Sequence, residues 1–161
     1  MEISKEQFER VRADAETRYK CIGSLYCPYL DDNVHFNAEG FEHLLFKNRH
    51  RPRRTAEQFT RLRLLPLAEE TIKKSHTLQE YDRQVAIVRL QSAGRWNKSP
   101  KWVHYYVFIA LVRPRIRIKV VVREIEGGKK QFYSLFPSWK VEKAVDGSKR
   151  KTFYSEDPAE L

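Results

Sequence analysis

Cysteine is nearly absent from this chain, and long apolar runs, glycine-rich phosphate loops and internal repeats are missing altogether. Cys21 and Cys27 are the only cysteines in 161 residues. Their spacing matches no zinc signature, and a chain of this length buries a core without disulfide staples, so two free thiols are expected. No apolar run reaches the roughly 18 residues that a membrane span needs. The start lacks the basic-then-apolar pattern of a secretory signal, so a cytoplasmic protein with no membrane partner is expected. There is no nucleophile elbow, no zinc cluster and no group of carboxylates suited to magnesium, so neither cofactor nor metal is expected.

Acidic residues are also in deficit. Lys and Arg number 31 against 21 Asp and Glu, for a net charge of +10 and a pI near 9.7. With 41% hydrophobic and 32% charged residues the chain reads as globular, and one this basic commonly meets a polyanion. A membrane surface is the weaker alternative, because no Lys-rich amphipathic helix is present. The bases cluster. Lys47, Arg49, Arg51, Arg53 and Arg54 fall in one acid-free run, and further concentrations lie at 95–101, at 113–123 and at Lys149-Arg150-Lys151.

Helix signals dominate the first half. Ser4 and Gln7 form a capping-box pattern before Phe8, Val11 and Ala15, predicting a helix over 5–20. A short hairpin follows over 23–36, turning at Asp31-Asp32-Asn33. Asn37 caps a helix over 38–47 whose Glu39, His43 and Lys47 form one stripe. After the basic loop, Thr55 and Gln58 suggest a second capping box and a helix to about Leu64, with Pro66 starting another to about Lys74. Arg63 falls close to the buried Phe59 on a helical wheel and Arg61 points away, so Arg63 is the site-facing candidate.

The second half alternates β-branched and aromatic residues. Gln84–Leu90 reads as a strand, 91–101 as a loop, and 102–139 as a three-stranded meander. Gly127-Gly128 suits a type I′ turn, which places Val122 opposite Tyr133, Val120 opposite Leu135 and Ile118 opposite Pro137. A tight turn at Arg113-Pro114 places Ile109 opposite Ile118 and Tyr105 opposite Val122. One face is then apolar and buried, with Val103, Tyr105, Val107, Val120, Val122 and Tyr133. The other carries His104, Arg123, Phe132, Tyr106, Ser134, Lys119 and Arg117, a basic and aromatic surface suited to a polymer with stackable bases. The expected fold is α+β, with N-terminal helices on one face of a four-stranded antiparallel meander. Residues 1–23 form a peripheral helix, 24–144 a single domain, and 145–161 a flexible tail.

A basic face with histidines and hydroxyls suits metal-independent RNA cleavage through 2′-OH attack. His104, beside Arg123 on the expected open face, is one acid–base candidate; His43 and His76 are others, with Lys119 and Ser134 alongside. Lys47, Arg49, Arg51, Arg53, Arg54, Arg63, Arg117, Arg123, Tyr106 and Phe132 are the candidate RNA contacts. At this point the chain resembles the superfamily of barnase, EndoU, colicin-type tRNases and RelE toxins, in its phage-associated branches. His43 in Phe-Glu-His-Leu would be the early-helix histidine, and Ser134 in Tyr-Ser-Leu-Phe-Pro the polar residue before the proline. The resemblance implies a toxin-type ribonuclease with an antitoxin or immunity partner, acting on single-stranded, transfer or ribosomal RNA. The chain is also similar over 24–139 to a group of bacterial proteins sharing Leu-Tyr-Cys-Pro-Tyr-Leu (25–30), Arg-Leu-Arg-Leu-Leu (61–65) and Lys-Lys-Ser-His-Thr (73–77). The alternatives are a non-catalytic RNA- or ribosome-binding module and an antitoxin-like or phage structural adaptor.

Overall fold

Ser4 opens the first helix as its spacing predicts. Its side chain accepts from the Gln7 amide at 3.1 Å while the Gln7 side chain accepts from the Ser4 amide at 3.1 Å. The structure is a computed structural model describing residues 2–48, 50–113, 116–138, 140–143 and 149–152. Helix α1 (Lys5–Ile22) leads into the hairpin β1 (Ser24–Cys27) and β2 (Asp32–His35). Cys21 is exposed, Cys27 is buried, and both are free thiols. Helix α2 (Ala38–Leu45) is capped by Asn37, whose side-chain oxygen accepts from the Gly40 amide at 3.0 Å. The basic run that follows is a small antiparallel ribbon, β3 (Phe46–Asn48) with β4 (Arg51–Pro52), rather than a plain loop.

Residues 55–74 form one helix, α3 (Thr55–Lys74), where two were expected. Pro66 sits inside it, exposed, with buried Leu65 and Leu67 on either side. An interior proline costs about 3 kcal/mol, and the burial of both halves of α3 in one core outweighs it. The second capping box does not form. Arg54 is the N-cap and makes no side-chain cap bond. Burial runs round most of α3 because α1 packs on one side and the sheet on the other, so its helical wheel misleads. Arg61, expected to point away, is buried, whereas Arg63 is only half-buried.

The main sheet has six strands in the order β1-β2-β8-β7-β6-β5 and is mixed, which corrects the four-stranded antiparallel meander. Its remaining members are β5 (Glu80–Ser92), β6 (Arg95–Arg113), β7 (Ile116–Ile125) and β8 (Lys130–Pro137). The sheet gains two strands because the early hairpin joins it: β2 lies parallel to β8 at His35–Gln131. The 91–101 segment is not a loop; it pairs residue by residue across β5 and β6. Ala93 and Gly94 both have positive φ there, so the type I′ conformation forms at this turn. At the expected position only Gly127 has positive φ, and the Gly128 amide donates to the Ile125 carbonyl at 2.7 Å. β9 (Lys140–Lys143) pairs with β10 (Lys149–Thr152) as a separate ribbon.

Register decides which chemistry is exposed. In β7, Ile118, Val120 and Val122 are fully buried beneath the helices, as their alternation predicts. In β6 the reversal falls one residue later than expected, since Arg113 pairs with Ile116, and Phe108 lies opposite Val120. Every β6 side chain therefore swaps face. Phe108, Tyr106 and His104 share the helix side; Tyr105, Val107 and Ile109 share the other. In β8 a bulge separates Val121–Ser134 from Val122–Phe132, leaving Tyr133 as the extra residue. Phe132 enters the core, stacked on Phe36 with ring centroids 4.8 Å apart. Tyr19 of α1 meets the same ring edge-on at 5.9 Å. No described helix is long and apolar enough to cross a membrane.

The bulge makes adjacent residues differ in cost. Phe132→Ala is expected to destabilise by about 3–5 kcal/mol, and Tyr133→Phe by about 1 kcal/mol or less. Urea unfolding of the two variants checks this. A larger loss for Tyr133→Phe would mean that β8 runs without the bulge.

Candidate functional site

The side chains that converge do so at the edge of β8, where α2 leans against the sheet. Gly40 makes that approach possible. A Cβ there would run into the Phe132 carbonyl and the Tyr19 hydroxyl, so no larger residue fits without moving the helix. With α2 held this close, Glu39 and His43 project over the face of the sheet that the helices leave open. His43 packs on Tyr133 with ring centroids 4.2 Å apart. Tyr133 in turn meets Tyr105 edge-on at 5.5 Å, and the Arg123 guanidinium lies 4.8 Å from the Tyr133 ring centroid. Glu39 fixes that guanidinium by accepting from Arg123 Nη2 at 2.7 Å. Arg123 Nε is buried and has no hydrogen-bond partner among the described residues.

These groups border a cleft of about 900 Å³ lined by Glu39, Glu42, His43, Phe46, Lys47, Asn48 and Tyr133. Its charge is mixed. The cations Lys47 and Arg123 stand beside the carboxylates Glu39 and Glu42, so the cleft is no uniform basic groove. Burial pulls His43 below the usual imidazole value of 6.5; Glu39 opposes this, while the charges of Arg123 and Arg53 add to it. Burial pushes the Tyr133 phenol upward, reinforced by Tyr105, so it holds its proton at neutral pH. The imidazole is therefore neutral and able to accept a proton, next to a phenol able to give one.

Beneath the cleft lies a belt of paired charges. Arg53 Nε donates to the His43 carbonyl at 3.0 Å and its Nη1 to Glu57 at 2.7 Å. Arg61 Nη1 donates to Ser134 Oγ at 3.0 Å and to the Leu135 carbonyl at 2.8 Å, and its Nη2 reaches Glu57 at 3.1 Å. Burial, then the charge of Arg53, lowers Arg61 to about 10, which still leaves it charged at neutral pH. Ser134 is thus engaged in holding α3 to β8, not offered to the cleft.

The other expected site residues scatter. His104 lies on the helix side of the sheet opposite Glu124, across the sheet from the side chain of its expected neighbour Arg123; its Nδ1 is 2.6 Å from the Tyr81 hydroxyl. Tyr106 shares that side and donates to Glu124 at 3.3 Å. Phe132 is core, for the bulge reason given above. His76 is exposed just past the C-terminus of α3, whereas the cleft adjoins the N-terminal end, roughly 30 Å away for a helix of 20 residues. Arg63 borders a separate recess between α1 and α3 with Asp14, Arg18 and Pro66. Lys119 stays on the open face, bridged to Glu80 at 2.7 Å, and Arg117 is exposed beyond it. Arg51 and Arg54 are exposed on the approach from β4, and Arg49 lies outside the described residues.

Sequence reasoning missed Tyr105 and Tyr133, which were assigned to the buried face. Only the one-residue shift of β6 and the bulge of β8 bring them out, and neither leaves a local signal. No three His, Cys, Asp or Glu side chains among the described residues converge as a metal-holding group. No protein-family model, curated protein or solved structure matches this chain.

Gly40→Ala tests the helix approach. In an exposed helix this change stabilises by about 1 kcal/mol. Here the collision with Phe132 and Tyr19 is expected to reverse the sign, and thermal melts that rise instead would disprove the close contact.

Proposed function

We propose that the protein binds RNA and cleaves it without a metal ion, at the cleft between α2 and β8. The observation that supports this best is the neutral His43 imidazole packed on Tyr133, within one cluster with an arginine that Glu39 holds in place. The reaction needs those three roles. His43 takes the proton from a ribose 2′-hydroxyl, and the 2′-oxygen attacks the adjacent phosphorus. Arg123 stabilises the charge on the phosphorane oxygens. The bond from phosphorus to the 5′-oxygen breaks, Tyr133 protonates that oxygen, and a 2′,3′-cyclic phosphate remains. Lys47 and the exposed Arg51 and Arg54 supply non-specific attraction for the flanking phosphates. The resemblance to barnase- and RelE-type nucleases agrees with this placement through His43, and an antitoxin partner would cover the same cleft.

The decisive experiment incubates the purified protein with single-stranded RNA, with and without chelator. Cleavage that survives chelation, leaves a cyclic phosphate and is blocked by a 2′-deoxy residue at the scissile position is expected. His43→Ala should reduce the rate by 100-fold or more, on the order of a lost general base, and His104→Ala should leave it nearly unchanged. Binding without cleavage would instead favour the non-catalytic RNA-binding module.

The pH profile is a second check. A base must be deprotonated, so the rate should rise through an acidic limb whose midpoint lies below 6.5, the ordinary imidazole value. Arg123→Gln removes a positive neighbour and should move the midpoint up, whatever it does to the rate. Glu39→Gln should move it down. A midpoint indifferent to both would exclude His43 as the base.

A further inference from the structure

The longest strands run past the body of the sheet. β6 has 19 residues and β5 has 13, yet β7 pairs with β6 only from Val103 onward. Residues 85–92 and 95–102 therefore continue as a two-stranded arm, roughly 25 Å long at about 3.3 Å per residue. Glu126 braces its root, accepting from the Trp102 amide at 3.3 Å and donating its own amide to the Trp102 carbonyl at 2.9 Å. Past that point nothing among the described residues covers the arm.

One side of the arm is built from exposed rings and cations. Cross-strand pairing puts Val85 with Trp102, Ile87 with Pro100, Arg89 with Lys98 and Gln91 with Trp96 on a single face. Trp96 is 59% exposed, Trp102 41% and Ile87 69%, unusual values for side chains that gain from burial. The Arg83 guanidinium carbon lies 4.8 Å from the Trp102 ring centroid and that of Arg89 4.9 Å from Trp96. Between Arg83 and Trp102 the chain has Arg83, Arg89, Arg95, Lys98 and Lys101 and no acid. Around α3 and on the body of the sheet several basic residues are neutralised in place: Lys119 by Glu80, Arg123 by Glu39, Lys130 by Asp32, and Arg53 and Arg61 by Glu57. The arm thus holds an uncompensated share of the +10 charge.

We infer that this arm is a second RNA-binding element, on which bases of a single strand stack against Trp96 and Trp102 while Arg83, Arg89 and Lys98 on the same face meet its phosphates. Charge selects a polyanion over an ordinary protein partner. The exposed rings select a polymer with free base faces over a duplex, which hides its base faces in its stack. The choice of RNA rests on the reading of the cleft given above; the stacking chemistry of the arm stands on its own residues. The arm belongs to β5 and β6 and the cleft to the β8 edge, so each can be disabled separately.

The test titrates parent protein, Trp96→Ala/Trp102→Ala and His43→Ala with a labelled oligouridine, following both its anisotropy and intrinsic tryptophan fluorescence. Parent and His43→Ala should show saturable quenching. The double tryptophan variant should bind about tenfold or more weakly and lose most of the quenching, with its far-ultraviolet circular dichroism unchanged. Arg89→Gln/Lys98→Gln, which leaves both rings in place, should weaken binding and flatten its salt dependence. Unchanged affinity in the double tryptophan variant overturns the arm as a binding element while leaving the cleft reading intact. Quenching without any cleavage by the parent supports the arm and counts against the cleft. Equal binding of heparin or of duplex RNA overturns base stacking as the recognition mode.

Discussion

The approach of α2 to β8 at Gly40 is the contact on which the rest of the molecule depends. A helix can lie this close to a strand only where a side chain is missing. Under it, Tyr19, Phe36, Phe41 and Phe132 form an aromatic cluster whose rings meet edge-on or stacked, and the Tyr19 hydroxyl donates to the Asn37 carbonyl at 2.7 Å. That bond holds the start of α2 to α1, and the ring of Phe132 holds β8 to both. The bulge at Tyr133 belongs to the same arrangement. Phe132 faces inward here and Tyr133 sits on the cleft because one extra residue is accommodated between them.

Charge does two different jobs in this protein. Around α3 it is structural: Glu57 bridges Arg53 and Arg61, and Arg61 ties Ser134 and Leu135 to the helix. Removing one partner of such a half-buried set leaves the others unmet, so these bases are poorly suited to releasing a ligand and rebinding it. On the β3–β4 ribbon and the β5–β6 arm the bases point into solvent. A net charge of +10 therefore says little by itself about where a polyanion would sit. Which bases already have acids decides it.

Much of the local structure was legible in the sequence. The Ser4–Gln7 box, the Asn37 cap, the presence of the first hairpin (whose turn falls at 28–31 rather than at Asp31-Asp32-Asn33) and the inward set Ile118, Val120 and Val122 follow from contacts within a few residues or within one strand. The placement of His43 beside Lys47 and Glu39 on one helical stripe was legible for the same reason. Two turns were exchanged. The double glycine at 127–128 looked like the type I′ hairpin, while Ala93-Gly94 adopts it, because strand pairing on both sides rewards positive φ there.

What the sequence determined by itself is a basic α+β chain with defined helix starts, a buried alternation in β7 and a histidine on α2. Tertiary structure alone decided which face each neighbour of β7 presents. A single-residue slip costs nothing in composition or periodicity, yet it exchanges His104 for Tyr105 and Phe132 for Tyr133. It alone decided, too, that Arg61 rather than Arg63 is buried, since a helix packed on two sides has no single apolar face to read. The physical reason is common to both. Alternation records that a side chain will be covered, and only the packed chain determines what covers it.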